Sequence, residues 1–539
     1  MKTVVVGRPG TGKTQYLMGL LNTADPARTI FISYTRSAVQ EARARAEAKW
    51  GVKAKDIIYF RTIHSLCSLL MGLGEGSFLR EEKIREFMKS QGLEYAERRE
   101  MREALEDGGF GDGDMDALPD GNRVVGLVNR IKNVECCGLG SLDGEVIDRY
   151  ISEFLGGARM RNPKFDSMDM VRNLLFEFEA MRGDALYYPD ILLRFLVSPV
   201  APEVENLIVD EFQDVSPLTY RIVKYFEAHT ANQWYAGDPH QAIYDFIGAE
   251  PRFLLQEQAQ ADFGVTLPKS WRLKKKIYEL ATAVINNNCR DKIRDRLEVG
   301  DGGGVRYFGS EAEVVAELHG CRSSVFILTR TNAKKRHWAD LLQREGIVFG
   351  LQGRGKRIWN QDMLNANDFI YCARLGLPMP QRVAREYLLE LVPSSPFLRR
   401  GAKAEIRKGE RLRGEMVKAE DFRGVLAIGQ TVMDIADLLI LKLSPEEKET
   451  LGIKLEKNPG VAQRSVVVGT IHSVKGMETD LVVYDAELPE RIEKQAYSDG
   501  VVAEAEARVA YVAVTRAREQ VWIINSNMVI AQVGQVVVW

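Results

Sequence analysis

The sequence of 539 residues lacks three features: a cysteine framework, an excess of charge of one sign and a long apolar run. Its six cysteines form no Cys-x-x-Cys pair, which argues against a disulfide framework and against a zinc or iron–sulfur site. The net charge of −2 argues against a protein that coats nucleic acid, although it leaves room for a local basic groove. No apolar run approaches the length of a membrane span, and Met1 leads into a short apolar stretch rather than a signal peptide. We therefore expect a reduced, soluble, cytoplasmic protein with no membrane partner.

Short runs of β-branched residues, bounded by turn residues, alternate with helical stretches. This alternation is typical of an α/β fold with a parallel sheet, whose buried strands are almost continuously apolar. The clearest helices are expected at 15–21, 37–50, 217–228 and 502–516. The clearest strands are expected at Thr3–Val6, Thr29–Ser33, Leu207–Val209, Gln233–Ala236, Val325–Leu328, Ser465–Val468, Leu481–Tyr484 and Val521–Ile524.

Two long helical and polar stretches interrupt this pattern, so we expect two α/β cores that each carry a helical insertion. The expected division is a first core at 1–65 and 191–275 with its insertion at 66–190, and a second core at 276–375 and 463–539 with its short insertion at 376–462. The glycine-rich segment Gly300–Gly304 is expected to be a linker. The Asp112-x-Asp114-x-Asp116 pattern, within the Gly/Asp-rich segment Asp107–Asp116, lacks the loop glycine and the closing glutamate of an EF-hand calcium site and is expected to be a solvated loop.

A phosphate loop follows the first strand and precedes a helix. Its glycines permit a tight turn that lets backbone N–H groups and the helix N-terminus face phosphate oxygens. We expect Lys13 to reach the β- and γ-phosphates and Thr14 to hold magnesium. The motif comprises Gly7, Arg8, Pro9, Gly10, Thr11, Gly12, Lys13 and Thr14.

A pair of carboxylates, Asp210 and Glu211, follows the apolar run Leu207–Val209. Beside a phosphate loop, such a pair can manage both a metal ion and an attacking water. We expect Asp210 to bind magnesium and Glu211 to polarise the water that attacks the γ-phosphate. An Asp-Glu pair alone is a weak signal, because most such pairs are solvated strand ends. It indicates a nucleotide site here because the same chain also contains a phosphate loop.

The surrounding motifs decide the class of phosphate-loop protein. In order, they closely resemble those of the UvrD/Rep branch of superfamily 1 helicases, over nearly the whole chain. That resemblance implies two RecA-like motor cores in tandem, with ATP and magnesium bound between them. The motifs are Thr62-Ile-His-Ser65, Asp210-Glu-Phe-Gln-Asp214, Gly237-Asp-Pro-His-Gln241-Ala-Ile-Tyr-Asp-Phe-Ile-Gly-Ala249, Ser270-Trp-Arg272, Gly469-Thr-Ile-His-Ser-Val-Lys-Gly-Met-Glu478 and Tyr511-Val-Ala-Val-Thr-Arg-Ala-Arg518.

The resemblance also implies roles at the nucleotide. Gln241 resembles the residue that senses the γ-phosphate, and Arg272 and Arg516 resemble the arginines that reach it from either side of the cleft. Trp271 stands where the family stacks an aromatic ring on adenine. Gly476 and Glu478 are also assigned to the nucleotide, and Glu478 stands where a carboxylate binds the ribose.

Nucleic-acid contacts are implied at further motif positions. Phe246 stands where an aromatic ring stacks on a base, and Tyr244 lies in the same motif; packing of this Tyr-x-Phe pair in a core is the alternative. The twin Thr-Ile-His-Ser elements are expected to hold the strand backbone, one in each core. Their residues are Thr62, His64, Ser65, Thr470 and His472.

The family resemblance implies an ATP-dependent DNA helicase that moves 3′-to-5′ on single-stranded DNA and acts at junctions with duplex, in a bacterial or phage-infected cell. Two alternatives stay open: a translocase that unwinds little duplex, and a nucleotide-switched component of a repair or defence complex. Protein partners are unspecified. Only six residues precede Gly7, so the family's adenine-reading glutamine segment is absent from this sequence and a preference for ATP over other NTPs stays open.

Overall fold

The computed structural model describes the chain except for several short segments and one longer one. The acidic segment Asp107–Asp116 lies outside the described residues, as does Ser465 of one expected strand. No helix in the described part of the chain is both long and apolar enough to cross a bilayer. The described residues are 1–20, 24–33, 36–51, 53, 57–96, 118–157, 160, 162–352, 359–409, 414–461, 466–527 and 529–530.

The first core is a parallel sheet whose strands run in the order β3-β2-β4-β5-β1-β6 within the described residues. Strands β1 and β4 consist mostly of valine, leucine and isoleucine, and the sheet is covered on both faces, as parallel sheets require. Because all pairings are parallel, β4, β5 and β1 end side by side. The strands are β1 Lys2–Val6, β2 Thr29–Ile32, β3 Phe60–Arg61, β4 Asn206–Val209, β5 Asn232–Gly237 and β6 Phe263–Thr266.

Helices α1 (Lys13–Leu20), α2 (Arg36–Trp50), α3 (Ile63–Leu70), α9 (Pro217–Ala228) and α10 (Arg252–Ala259) belong to this first core. The bounds expected for α9 are confirmed, and its capping explains why. The Ser216 hydroxyl accepts a hydrogen bond from the Thr219 N–H group, and Pro217 occupies the first helical turn.

Between β3 and β4 the chain forms a helical insertion with its own hydrophobic cluster, which includes Ile84, Val128, Ile151 and Leu175. The Lys132 ammonium is buried in this insertion and is paired with Glu179 and Asp190, each at 2.7 Å. The described helices of the insertion are α4 Glu81–Ser90, α5 Asp120–Glu135, α6 Gly144–Gly157 and α7 Met168–Arg182; the next helix, α8 Tyr188–Val197, packs in the hydrophobic cluster of the first core.

The second core repeats the architecture as a parallel sheet with the strand order β11-β14-β10-β15-β16-β9 in the described residues. The expected strands are present here, and the edge strands β9 and β11 were missed because they are short or poor in β-branched residues. The strands are β9 Gly304–Phe308, β10 Val325–Thr329, β11 Phe349–Leu351, β14 Val466–Thr470, β15 Thr479–Asp485 and β16 Ala517–Ile524. The helices of this core are α11 Lys275–Asn288, α12 Glu311–Leu318, α13 Asn332–Arg344, α14 Gln361–Leu375, α19 Glu490–Ser498 and α20 Gly500–Val514.

The glycine-rich segment does not separate the cores as expected. Helix α11 precedes it, yet α11 packs in the same hydrophobic cluster as α20 of the second core. Strand β8 (Glu298–Gly300) pairs with β7 (Lys269–Lys274), and β9 begins at Gly304. The segment Gly300–Gly304 is therefore a tight connection between two short strands.

The second insertion consists of short elements joined by irregular segments. Unlike the first insertion, it shares one hydrophobic cluster with the sheet beside it: Leu388 and Phe422 belong to the same cluster as Ile327 and Val468. Its described elements are β12 Met379–Pro380, α15 Gln381–Glu386, a π-helical turn at Tyr387–Leu391, α16 Ala402–Arg407, β13 Met416–Val417, α17 Val432–Ile435 and α18 Pro445–Lys457.

One buried hydrogen bond in the second core gives a stability prediction. The Trp338 indole N–H donates to the fully buried Asp485 carboxylate at 2.7 Å. Trp338→Phe removes that donor, so we expect a loss of about 1–3 kcal/mol in the free energy of unfolding, measured by denaturant titration. Trp50→Phe at an exposed position on α2 is the matched control. Equal losses from the two variants would contradict the prediction.

Candidate nucleotide site and nucleic-acid track

The phosphate loop joins the end of β1 to the start of α1. It turns through Gly10 and Gly12, whose φ angles of 72° and 85° lie in the left-handed region that glycine tolerates best. A Cβ at Gly7 would lie 2.4 Å from the Thr11 hydroxyl, so this position also requires glycine. The resulting loop leaves the N-terminus of α1 open to an anion.

Lys13, Thr14 and Asp210 meet where the loop faces the end of β4. The Lys13 ammonium donates to the Gly7 carbonyl at 2.8 Å, and the Thr14 hydroxyl donates to the Asp210 carboxylate at 2.8 Å. Burial, followed by the nearby charge of Glu211, raises the pKa of Asp210 to about 6. A hydroxyl and a carboxylate are oxygen ligands of the kind that magnesium takes, so this pair fits the ion.

Glu211 follows directly and adopts a left-handed backbone with φ of 54°. Such a conformation is uncommon outside glycine and is often retained at functional sites. Burial alone would raise the pKa of Glu211, but the charges of Lys475 and Lys13 outweigh it and hold that pKa below its usual value. The Gln213 amide donates to the carboxylate at 2.6 Å. Glu211 is therefore an oriented carboxylate that can accept a proton.

Two arginines approach the same cleft. The buried Arg516 guanidinium donates to the Gln241 side-chain oxygen at 2.9 Å. Burial and the charge of Arg272 lower the pKa of Arg516 to about 9. Arg516 lies in the turn after α20, because the helix ends at Val514 and not at Arg516 as expected. Arg272 donates to the Glu478 carboxylate at 2.6 Å, so these two residues, assigned to phosphate and ribose, pair with each other.

The cleft that these groups surround has a volume of about 700 Å³, in the range of small-molecule sites. Trp271 projects into it with 78% of its surface exposed, and the Lys269 ammonium lies 4.6 Å from the ring centroid. Gly476 lines the cleft, and a Cβ there would meet only open space. The structure thus brings the nucleotide-site residues together, with one exception.

The exception is Arg8. Its side chain is buried and turns away from the cleft, because it pairs with Asp238 at 3.3 Å and Asp295 at 3.0 Å. Arg8 was assigned to the nucleotide as part of the phosphate loop, and that assignment stays a prediction for its backbone, because its side chain is engaged by these two carboxylates. The neighbouring Pro9 carbonyl accepts a hydrogen bond from the Ser270 hydroxyl at 2.8 Å, which fixes the loop against β7.

Three of the expected nucleic-acid residues, Thr62, His64 and Ser65, line a surface hollow of about 280 Å³ beside α3. The ring of Tyr188 also lines this hollow, edge-to-face with the His64 ring at 5.4 Å. Tyr188 was missed because it lies far along the chain and outside every motif. The first core therefore presents hydroxyls and two rings on one surface.

The second Thr-Ile-His-Ser element is placed differently. Thr470 is fully buried and His472 is 4% exposed, with its Nε2 atom 3.2 Å from the Ile243 carbonyl oxygen. Burial lowers the pKa of His472 well below its usual value, so the ring is neutral. Both side chains are buried in this conformation, so the expected contacts of Thr470 and His472 with the nucleic-acid backbone stay predictions.

Tyr244 and Phe246 also differ from one another. The Tyr244 ring packs under the Lys475 ammonium, 4.8 Å from its centroid. Phe246 lies half-buried beside the His472 ring at 6.0 Å and lines a groove of about 560 Å³. Helices α5 and α6 of the first insertion form one side of this groove, and α19 and α20 of the second core form the other. Phe246 thus lines this groove, whereas Tyr244 lines the nucleotide cleft.

Comparison with known proteins matches both halves of this site. Residues 184–262 match the UvrD/REP helicase N-terminal domain, and residues 430–528 match the UvrD-like helicase C-terminal domain. The first range contains the Asp210–Glu211 pair and Gln241, and the second contains Arg516. Both cores thus contain a segment that is similar to UvrD/Rep-type helicases.

Its similarity to individual members is moderate. The chain is 26% identical over 398 residues to the ATP-dependent DNA helicase UvrD2 of Mycobacterium tuberculosis, a match that covers 67% of the chain and 55% of that protein. It is 23% identical to the ATP-dependent DNA helicase PcrA of Staphylococcus epidermidis, with 97% of the chain and 81% of that protein covered. The chain thus spans about half the length of the mycobacterial relative.

The site also contains functional candidates to which the motifs assigned no role. The Lys475 ammonium contacts Asp214 at 2.5 Å and the Gln241 carbonyl at 2.7 Å, and so joins the second core to the first. Asp238 is fully buried and accepts from the Gln241 amide at 2.9 Å. All of these residues lie inside the quoted motifs, so motif membership was the available signal.

The Lys475–Asp214 contact gives a second stability prediction. Lys475→Met leaves the buried Asp214 carboxylate without its cation, and we expect a loss of about 3–5 kcal/mol in the free energy of unfolding, measured by denaturant titration. Adding Asp214→Asn should restore much of that loss. The matched control is Lys494→Met, which breaks an exposed pair with Glu490 and should change stability little. A Lys475→Met variant as stable as that control would contradict the prediction.

Proposed function

We propose that the chain is an ATP-dependent DNA helicase that translocates 3′-to-5′ on single-stranded DNA and separates strands at junctions with duplex. One observation carries the proposal: Arg516 of the second core contacts Gln241 of the first core at 2.9 Å, inside a cleft that also contains the phosphate loop. Cleavage of the γ-phosphate would therefore change contacts in both cores at once. The relatives' printed names support DNA as the substrate, and family resemblance supports the polarity.

The cleft has the groups that phosphoryl transfer requires. The phosphate loop and the Lys13 ammonium bind the phosphates, and Glu211 accepts a proton from the attacking water. Arg272 and Arg516 stabilise charge on the leaving phosphate, a contribution of about 10³–10⁵ in rate for an arginine finger. Thr14 and Asp210 would hold magnesium, which when bound neutralises charge on the phosphate oxygens.

One short segment connects the nucleotide cleft to the groove and could couple ATP hydrolysis to nucleic-acid binding. Gln241 is the residue expected to sense the γ-phosphate. Two tight turns, Pro239–Gln241 and Asp245–Ile247, connect it to Phe246 in the groove. Lys475 holds the first of these turns from the second core. Loss of the γ-phosphate would move Gln241 and, through this segment, the ring on which a base stacks.

The groove supports single-strand binding by stacking. Phe246 lines it, and the hollow at His64 and Tyr188 adds further rings. Stacking suits a motor because every base has a π-face, so binding does not depend on sequence. We propose the strand path along Thr62, His64, Ser65, Tyr188 and Phe246.

The proposed domain division keeps a first core at 1–65 and 191–275 and a second core at 276–375 and 463–539. The insertions at 66–190 and 376–462 belong to the first and second core respectively. The second insertion shares its hydrophobic cluster with the sheet beside it, so large independent movement of that insertion would expose apolar surface. This packing favours a second candidate function, a single-strand translocase that unwinds little duplex.

The central test measures ATP hydrolysis with and without single-stranded DNA, and strand displacement on 3′- and 5′-tailed duplexes. We expect strong stimulation and displacement only from the 3′ tail. Glu211→Gln should lower kcat about 10²–10⁴-fold with ATP binding retained, because only the proton acceptor is lost. Lys13→Ala serves as the control without productive phosphate binding. Stimulation without displacement would favour the translocase, and no stimulation would refute both candidates.

A separate prediction concerns the groove. Phe246→Ala should weaken binding of a dye-labelled oligothymidylate by about 1–3 kcal/mol, measured by fluorescence anisotropy, because one stacking surface is lost. Phe246→Trp should preserve binding. Phe263→Ala, which truncates a 56% exposed phenylalanine on the edge strand β6, is the matched control. Equal affinities for Phe246→Ala and Phe263→Ala would place the strand elsewhere.

A further inference from the structure

Arg8 belongs to the phosphate loop, and its backbone helps to hold that loop in shape. Its carbonyl oxygen accepts the Thr11 hydroxyl at 2.8 Å and the Thr11 N–H at 3.2 Å. The preceding residue, Gly7, donates its N–H to the Gly237 carbonyl at the end of β5, at 3.1 Å. A displacement of Arg8 would therefore be transmitted directly to the loop that faces the phosphates.

The Arg8 side chain uses two different nitrogens for two different carboxylates. One terminal nitrogen lies 3.3 Å from Asp238, which is fully buried after β5, and the other lies 3.0 Å from Asp295. Asp295 lies between α11 and β8, and α11 packs in the hydrophobic cluster of the second core. Arg8 thus spans from the phosphate loop to the second core through a side chain that is 8% exposed.

Asp238 extends this connection toward the γ-phosphate position. It accepts from the Gln241 amide at 2.9 Å and from the Tyr511 hydroxyl of α20 at 3.4 Å. Gln241 in turn accepts from Arg516 at 2.9 Å. A continuous set of polar contacts therefore runs from Asp295 through Arg8, Asp238 and Gln241 to Arg516.

We propose that Arg8 is a positioning residue that makes the geometry of the phosphate loop depend on the position of the second core. The inference rests on the proposed function and deepens it, because it names a route by which closure of the cores reaches the phosphate loop from outside the nucleotide cleft. Arg516 lines the cleft itself, whereas Asp295 is connected to the phosphate loop through the side chain of Arg8.

The geometry explains why the residue is arginine. A planar guanidinium presents separate N–H groups that can satisfy two carboxylates at once, whereas a lysine ammonium is a point charge on a flexible stem. Arg8→Lys can keep a cation beside the buried Asp238 while it gives up the span to Asp295. Asp295→Asn weakens the same contact from the other side, at a residue that is half exposed and outside the nucleotide cleft.

The test uses the full chain and measures kcat and KM for ATP at saturating oligothymidylate. We expect Arg8→Lys and Asp295→Asn each to lower the DNA-stimulated kcat about 5-fold with little change in KM, as typical coupling between sites would predict. The double variant should lose no more than either single variant, because both changes break one contact. Asp301→Asn, at an exposed carboxylate a few residues along the same connection, is the matched control.

Two results would overturn the proposal: an Asp295→Asn variant that behaves like Asp301→Asn, or losses that multiply in the double variant. A second measurement does not depend on turnover. The radius of gyration from solution scattering is titrated with magnesium and a non-hydrolysable ATP analogue. Wild type should compact, and Asp295→Asn should need several-fold more nucleotide for the same compaction.

These two measurements separate failure of the inference from failure of the proposed function. If wild type compacts with nucleotide but DNA does not stimulate hydrolysis, the helicase proposal fails while the scattering comparison still decides the role of Arg8. If DNA stimulates hydrolysis and Asp295→Asn equals wild type in both measurements, the helicase proposal stands and the Arg8 inference fails.

Discussion

The structure depends on carboxylates that are buried where the two cores meet. Asp210, Asp214 and Asp238 are each at most 2% exposed, and Glu211 stands among them. A buried carboxylate without a cation carries a large desolvation cost, so each needs a positive neighbour. The first core supplies Lys13 and Arg8, but the ammonium that contacts Asp214 is Lys475 of the second core. In this conformation the first core therefore depends on the second core for the cation that contacts Asp214.

This arrangement also prepares the cleft for a polyanion. Burial and the neighbouring charge of Arg272 lower the pKa of Arg516, which means that its positive charge is not fully compensated by the protein. A phosphate group would supply the missing negative charge without requiring the site to reorganise, which is how preorganised electrostatic sites favour a developing charge. Arg272 is paired with Glu478, so nucleotide binding there would exchange one partner for another. The two arginines thus differ: Arg272 is paired with a carboxylate, whereas Arg516 donates to the neutral side-chain amide of Gln241.

Much of the fold could be predicted from local sequence. Strands such as Lys2–Val6 and Thr479–Asp485 are apolar on both faces, and that pattern has few other solutions in a chain that alternates strand and helix. The bounds of helix Pro217–Ala228 could be predicted because its N-cap Ser216 and its first-turn proline, Pro217, are adjacent in the sequence. Edge strands such as Phe349–Leu351 were missed because three residues give too short a pattern to recognise.

The site could be predicted as a set of motifs but not as a set of orientations. Lys13, Asp210, Glu211, Gln241 and Arg516 meet in one cleft, as their order in the chain implied. Arg8 and His472 lie in equally clear motifs, yet both side chains are buried between the cores. Motif membership places a residue near a site, whereas burial depends on how two separately folded sheets come together. Sequence patterns within one core do not indicate which residues the other core will cover. The burial of the Arg8 and His472 side chains could therefore not be predicted.

The segment after β5 explains why one motif serves both cleft and track. In the first sheet β5 lies between β4 and β1, so the residues that leave its end stand between the catalytic carboxylates and the phosphate loop. Asp238 contacts the loop through Arg8, Gln241 contacts Arg516, and Phe246 lines the groove. The segment consists of two short turns, so only a short length of chain separates Gln241 from Phe246. Under the proposed function, a movement of Gln241 that follows loss of a phosphate would therefore reach Phe246. Sheet order, rather than any single contact, would then couple hydrolysis to strand binding.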